Sequence, residues 1–325
     1  MTGDSITAPP QVSAPELADF FADVITGLSS NPRTIPCKYF YDARGAALFQ
    51  KICELAEYYV TRTEIDILDR SRTDIALQLG PNVELIGLGT GAGTKTRILI
   101  EALQNPAVYI SVDISEKQLR ESTALFRKIF PNLEILPVSA DYLQSVVLPS
   151  PSRKPARKIV YFPGSTIGNF DPDEAMQFLR RIANVCRGGG GLLIGVDLKK
   201  DREVLEAAYN DSAGVTAEFN LNLLQRINRE LGADFDLDQW RHLAIYNSNA
   251  GRIEMHLISE TDQLVHLNED KFHFRRAEKI ITEFSYKYTP REFAALGAKA
   301  GFNFVRTWTD DARLFGVFYF VMASG

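Results

Sequence analysis

Residues Val83–Arg97, VELIGLGTGAGTKTR, constrain this chain of 325 residues more than any other stretch. A mostly apolar run, Val83 to Leu88, meets the cluster Gly89-Thr90-Gly91-Ala92-Gly93, and a helix is expected to start near Thr94. A strand buried on both faces reads as a near-continuous apolar run, and glycines after it let the backbone turn tightly and approach a ligand. Such a turn delivers the ligand to a helix N-terminus in an open α/β sheet. The loop is of the kind that holds a nucleotide-type cofactor.

Spacing narrows the choice of cofactor. The dinucleotide fingerprint is G-x-G-x-x-G, but Thr94 stands where its third glycine belongs, which disfavours a dehydrogenase. The spacing here is G-x-G-x-G, common among S-adenosylmethionine (SAM) methyltransferases. Asp113 ends the β-branched run Tyr109–Asp113, where a carboxylate suits a ribose diol because it accepts from two hydroxyls. Asp141 and Tyr142 end the next short strand, where an acid fits the adenine amino group and an aromatic covers the ring. Any one such acid is more often a surface or cap residue. A glycine loop with two acids at successive strand ends favours the cofactor.

Composition removes other classes. With 45% hydrophobic and 24% charged residues the chain reads as a soluble globular protein. A net charge of −5 argues against nucleic acid as partner. No apolar run approaches the roughly 18 residues of a membrane span, so no membrane partner is expected. The start, MTGDSITAPPQVSAPEL, has neither a basic n-region nor an apolar core, so no signal peptide is expected and the location is read as cytoplasmic. Cys37, Cys53 and Cys186 are too scattered for a disulfide framework or zinc site, and the four histidines show no ligand spacing, so no metal is expected.

From residue 83 the pattern alternates at βαβ spacing: strands at 83–88, 108–113, 134–138, 158–163 and 192–198, helices at 94–104, 115–130 and 172–185. A C-terminal hairpin, 302–308 with 316–322, completes a seven-stranded sheet with one antiparallel strand. The segment 199–286 stands outside that alternation, with one long helical zone at 202–231, a turn, and strands at 252–258 and 279–286. The fold class expected is α/β, a Rossmann-like class I SAM methyltransferase sheet over 62–198 plus 287–325. A smaller α+β substrate domain is expected from 15–61 plus 199–286, and residues 1–14, rich in Pro, Ser and Thr, are expected to lack order.

In a doubly wound sheet the Gly164–Asn169 segment, after the fourth strand, sits at the mouth of the crevice. The Asn169 amide supplies an acceptor and two donors, suited to a substrate with an amine and a carboxylate; capping the helix that starts near Pro172 is the equal alternative. Most rings of the clusters at 39–41 and 58–59 belong to core packing, but clustered tyrosines also line polar pockets.

Several blocks extend beyond the glycine loop: Lys38-Tyr39-Phe40-Tyr41-Asp42, Glu57-Tyr58-Tyr59-Val60-Thr61-Arg62-Thr63-Glu64, Gly164–Asn169, Tyr209-Asn210-Asp211, Asn228-Arg229-Glu230-Leu231, Arg252-Ile253-Glu254-Met255 and Thr282-Glu283-Phe284-Ser285. On these the chain, from about residue 15, resembles the SAM-dependent histidine Nα-methyltransferases of ergothioneine biosynthesis. The resemblance implies trimethylation of the α-amino group of L-histidine to hercynine, with S-adenosyl-L-homocysteine as the other product and a monomeric enzyme. It implies that Tyr58, Gly164, Asn169 and Tyr209 bind the amino-acid end of histidine. Glu283 and Ser285, two apart and so on one strand face, would hold the imidazole nitrogens, and Met255 would pack on the ring. Tyr41 and Phe49 would lie near the methyl-transfer centre. Tyr41, Gly89, Thr90, Gly91, Lys95, Asp113, Asp141 and Tyr142 would hold SAM, with Tyr41, Tyr58 and Asn169 as the catalytic set. One departure is Gly87, where an acid is usual two residues before the first loop glycine. Two alternatives stand beside this reading: another amino acid or primary amine as acceptor, and a SAM-binding module without turnover.

Overall fold

The computed structural model describes residues 14–91, 93–142 and 146–323. Residues 1–13 of the stretch expected to lack order, and Ala92 of the glycine loop, lie outside the described residues. The chain divides into two compact units. One, the sheet unit, holds Cys53–Ala208, Tyr246–Ile253 and Phe284–Gly325; the other holds residues up to Ile52, Tyr209–Ile245 and Glu254–Glu283.

The sheet unit begins with helix α3 (Tyr59–Leu79) and alternates β2 (Val83–Leu88), α4 (Thr94–Ala102), β3 (Val108–Asp113), α5 (Glu116–Ile129), β4 (Glu134–Ser139), β5 (Arg157–Phe162), α6 (Pro172–Val185) and β6 (Gly191–Asp197). Helices α7 (Arg202–Tyr209) and α9 (Pro290–Lys299) and the hairpin β12 (Asn303–Thr309) and β13 (Phe315–Val321) complete it. The strand order is β12-β13-β6-β5-β2-β3-β4. β13 runs antiparallel to β12 and β6, and the other neighbouring pairs are parallel. This is the doubly wound α/β sheet expected from the sequence. Central β2 and β6 are buried at every residue, which is why they read as mostly apolar runs, broken only by Glu84 and Asp197. On one face Ile86, Val160, Ile194 and Phe320 pack against Phe178 and Leu179 of α6 and Phe293 of α9. Helix α6 starts where it does because Asp171 caps it: its carboxylate accepts from the Asp173 and Glu174 N–H groups, and Glu174 answers with a capping box. That removes the alternative reading of Asn169 as the cap.

The second unit contains α1 (Ala14–Ser29), β1 (Arg33–Thr34), α2 (Ala43–Glu54), α8 (Val215–Leu231) and strands β7 (Trp240–Asn247), β8 (Arg252–Ser259), β9 (Gln263–Leu267), β10 (Asp270–Phe274) and β11 (Lys279–Tyr286). A four-stranded sheet has the order β1-β11-β8-β7. The helical zone expected over 202–231 is two helices. Asp211 breaks it, its carboxylate oxygens accepting from the Val215 and Thr216 N–H groups, while Gly214 turns left-handed before α8. Residues 53–61, 199–208, 246–253 and 284–286, assigned from sequence to the smaller domain, cluster with the sheet unit. For Tyr59 the reason is visible: its hydroxyl donates to Asp197 at the end of β6.

His256, on β8, is buried, with Nε2 3.4 Å from Glu254 Oε2 and Nδ1 without a partner among the described residues. Burial, with Lys279 adding to it, pushes its pKa down from 6.5 to about 4. As pH falls the unfolded chain takes up this proton first, so stability is complete above about 6.5 and is lost as pH falls toward 4. Denaturant unfolding at pH 7.0 and 4.5 should show the wild type losing about 2–3 kcal/mol more than His256→Asn. Equal losses would remove His256 as the cause.

Candidate functional site

The glycine loop leaves β2 with Gly89 at φ 56°, Gly91 at φ 58° and Gly93 at φ 81°, all in the left-handed region that side chains avoid. The turn opens directly into α4, whose first turn has no side-chain cap. Gly87 is a case of close approach. A Cβ there would meet Thr90 Cγ2 at 2.6 Å and Tyr109 Oη at 3.0 Å. The space where an acid is usual is therefore filled by Thr90 and Tyr109, whose hydroxyls lie 3.1 Å apart, with Tyr109 donating on to Ser111.

At the end of β3, Asp113 accepts from the Ser115 N–H at 2.9 Å. Burial raises its carboxyl above the usual range, opposed by the Ser115 and Ile114 N–H groups. Tyr142 packs edge-on against Phe162, with ring centroids 5.5 Å apart, and its Cε1 lies 3.2 Å from the place of a Cβ on Gly89. Asp141 and Tyr142 are half-buried directly after β4.

Lys95, in the first turn of α4, is ion-paired with Glu64 of α3, and Glu64 is fully buried. The same oxygen, Oε2, accepts from the Gly164 N–H at 2.9 Å. Glu64 thus ties the lysine beside the glycine loop to the first residue of the Gly164–Asn169 segment. Asn169 closes a 3₁₀ turn there, and its side chain has no hydrogen bond among the described residues. Gly168 lets this segment approach the end of β11: a Cβ on it would lie 2.7 Å from Tyr286 O and 3.5 Å from Ser285 Oγ.

A second buried carboxylate, Asp197, ends β6. It pairs with Lys200 at 2.5 Å and Lys287 at 2.8 Å and accepts from Tyr59. Burial works to raise its pKa, but Lys287 and Lys200 outweigh it and hold the carboxyl below the usual range. Burial pushes Lys200 down to about 8 despite Asp197, with Lys287 adding to the push. Lys287 Nζ also donates to Ser285 Oγ at 2.8 Å. Tyr58, beside Tyr59, is buried at the N-cap of α3.

Within the second unit, Tyr41 and Phe49 meet edge to face at 5.6 Å, with Phe219 of α8 5.8 Å from Tyr41. Tyr209 is held through its carbonyl, which accepts from His242 Nε2 at 2.8 Å; Asn220 donates to His242 Nδ1, which fixes this tautomer. Met255 is buried, and its carbonyl accepts from Thr282, whose neighbour Glu283 is half-buried. Of the residues expected from sequence, Tyr58, Gly89, Thr90, Gly91, Lys95, Asp113, Asp141, Tyr142, Gly164, Asn169 and Ser285 belong to the sheet unit; Tyr41, Phe49, Tyr209, Met255 and Glu283 belong to the second.

A family model described as histidine-specific methyltransferase, SAM-dependent, matches residues 20–322. The chain belongs to this family. It is 40% identical over 302 residues to a histidine N-alpha-methyltransferase of Mycolicibacterium smegmatis, covering 91% of this chain and 92% of that one. It is 38% identical to the histidine N-alpha-methyltransferase of Mycobacterium tuberculosis, with 91% and 92% covered. Ergothioneine biosynthesis protein 1 of Neurospora crassa is 31% identical over 86% of this chain, which spans 32% of that longer protein.

For this methyltransferase the cofactor is SAM, and the residues present fit it. The left-handed glycine turn brings backbone into an open α4 N-terminus, Asp113 offers carboxylate oxygens at a strand end, and Lys95 offers an ammonium. Sequence reasoning missed Glu64, Asp197, Lys200 and Lys287. Asp197 carried a usable signal, an acid at a strand end like Asp113. Glu64 lay within a quoted block but was given no role there. Among the described residues no helix is long and apolar enough to cross a membrane.

Gly87→Ala should cost about 1–3 kcal/mol of stability through overpacking against Thr90 and Tyr109. Adding Thr90→Ser, which removes the methyl at 2.6 Å, should restore part of it; thermal unfolding of the single and double variants checks this. No loss in the single variant would show that the space under the loop is open.

Proposed function

We propose that the protein transfers methyl groups from SAM to the α-amino nitrogen of L-histidine, three in succession, giving hercynine as the first step of ergothioneine synthesis. The observation that carries this reading is the Gly164–Asn169 segment: the Asn169 amide is unclaimed among the described residues, and Gly164 is joined through Glu64 to Lys95. Bound SAM supplies an electrophilic sulfonium methyl.

Methyl transfer from sulfur to an amine is an in-line displacement, so the chain's task is alignment more than proton relay. A free α-amine is largely protonated at neutral pH, and the protein must select its uncharged form. The Asn169 amide and the Tyr58 hydroxyl accept the amine's N–H bonds and so aim its lone pair, while Gly164 and Tyr209 take part in holding the carboxylate end. Each methyl removes one N–H donor and the last leaves a permanent cation. The Tyr41 and Phe49 rings present faces that attract such a cation. Glu283 accepts the imidazole N–H, Ser285 meets the second nitrogen, and Met255 packs on the ring. Tyr41, Gly89, Thr90, Gly91, Lys95, Asp113, Asp141 and Tyr142 serve SAM, with Lys95 suited to its carboxylate.

Mass spectrometry of the protein incubated with SAM and the twenty amino acids should show a gain of three methyls on histidine alone. Methylation of another amine would replace histidine as acceptor, and bound SAM without turnover would indicate a module that only binds. Glu283→Ala should spare SAM binding and weaken histidine binding by about 1–3 kcal/mol, the order for a lost partner of a buried polar group. Undiminished histidine affinity in that variant would remove Glu283 from the reading.

A further inference from the structure

Lys287 is fully buried immediately after β11, placed there by its own N–H, which donates to Gly251 O at 2.8 Å. Its ammonium pairs with Asp197 Oδ2 at 2.8 Å and donates to Ser285 Oγ at 2.8 Å. An ammonium has donors and no acceptor, so Ser285 Oγ is the acceptor in that bond. The hydroxyl hydrogen of Ser285 cannot lie on the same axis and is directed away from Lys287. A serine hydroxyl is ordinarily indifferent, able to rotate into either role. Here the rotation is biased by a charge that Asp197 anchors, and Asp197 is itself fixed by Lys200 and Tyr59.

We propose that Lys287 is a positioning residue that biases Ser285 toward donating to the substrate side chain, its positive charge turning the hydroxyl hydrogen away from itself and making the remaining Oγ lone pair a poor acceptor, so that the enzyme favours a ring presenting a bare nitrogen there and discriminates against the imidazolium. This rests on the reading of Ser285 as a substrate residue. Neutral imidazole carries one N–H and one acceptor nitrogen, and the protonated ring carries two N–H groups. A donor set against a second N–H leaves both without an acceptor, which weakens binding of the charged ring. Among the described residues the charged and titratable groups bonded to this pair or acting on it through Asp197 are Asp197 on β6, Lys200 after it, Tyr59 on α3 and Asp310 acting on Lys200, while Glu283 lies two residues before Ser285 on the same strand. Since Lys200 titrates near 8, the test stays below that value.

Hercynine, whose trimethylated α-nitrogen has no proton to lose, so that its imidazole is the group titrating in this range, is titrated calorimetrically into the full chain saturated with S-adenosylhomocysteine at pH 7.0 and 5.5. The neutral fraction of an imidazole of ordinary pKa falls about eightfold between these values. The wild type should bind about eightfold more weakly at pH 5.5. Lys287→Met should narrow that ratio to less than about threefold, because Ser285 Oγ, no longer bonded to a cation, is then a good acceptor for the charged ring. Lys287→Arg, which keeps a donor cation, should retain the wild-type ratio, whereas a merely structural role would alter affinity in both variants without changing the ratio. A wild type with no pH ratio overturns the proposal without recourse to any variant, and a Met variant with the full ratio overturns it as well. Ser285→Ala separates the two levels: if it binds hercynine as tightly as the wild type at both pH values, the reading of Ser285 itself fails.

Discussion

Burial of Asp197 is the constraint around which the C-terminal edge of the main sheet is arranged. A carboxylate without solvent costs several kcal/mol unless cations and donors meet it. Three separate segments supply them: Tyr59 from the start of α3, Lys200 after β6, and Lys287 after β11. Each is thereby tied to one strand end. Glu64 repeats the device further along α3, gathering Lys95 of α4 and the amide of Gly164. Two buried acids on or against one helix thus fix the loops where a doubly wound sheet binds its ligands.

The same division of labour appears in several sequence blocks whose side chains bond within the second unit. In Lys38–Asp42, Tyr39 donates to Asp23, Phe40 stacks on Phe219, and Asp42 accepts from Gly45 and Asn222 and pairs with Arg229. Arg226 of α8 donates to the Tyr39 carbonyl. These bonds dock one short 3₁₀ turn on α8 and leave Tyr41 as the ring on its exposed side. Asn228 likewise spends its amide on the backbone of Phe235. A block that looks like a binding motif is here mostly the support for one residue of it.

Strands β2 and β3 and helix α6 were legible to the residue, because a buried parallel strand is mostly apolar and α6 carries a capping box. The split of 202–231 into two helices was missed, since apolar periodicity continues on both sides and only the Asp211 cap marks the break. Asn169 could equally have been a cap until Asp171 was seen in that place. Glu64 was invisible as a buried acid, because a carboxylate in a helix reads as solvated unless its cation is known, and that cation comes from 31 residues away; Asp197 offered only its place at a strand end, and Lys287, one of its two cations, comes from 90 residues away.

Sequence alone determined the α/β alternation, the glycine turn that must adopt positive φ, and the family, since periodicity, backbone freedom and motif identity are local properties. Tertiary structure alone decided that Gly87 is a glycine because Thr90 and Tyr109 fill its place, that Gly164 is tethered to Lys95 through Glu64, and that Ser285 faces a lysine. Those are facts of distance between remote segments, and a hydroxyl's choice between donating and accepting depends on which group lies 2.8 Å from it.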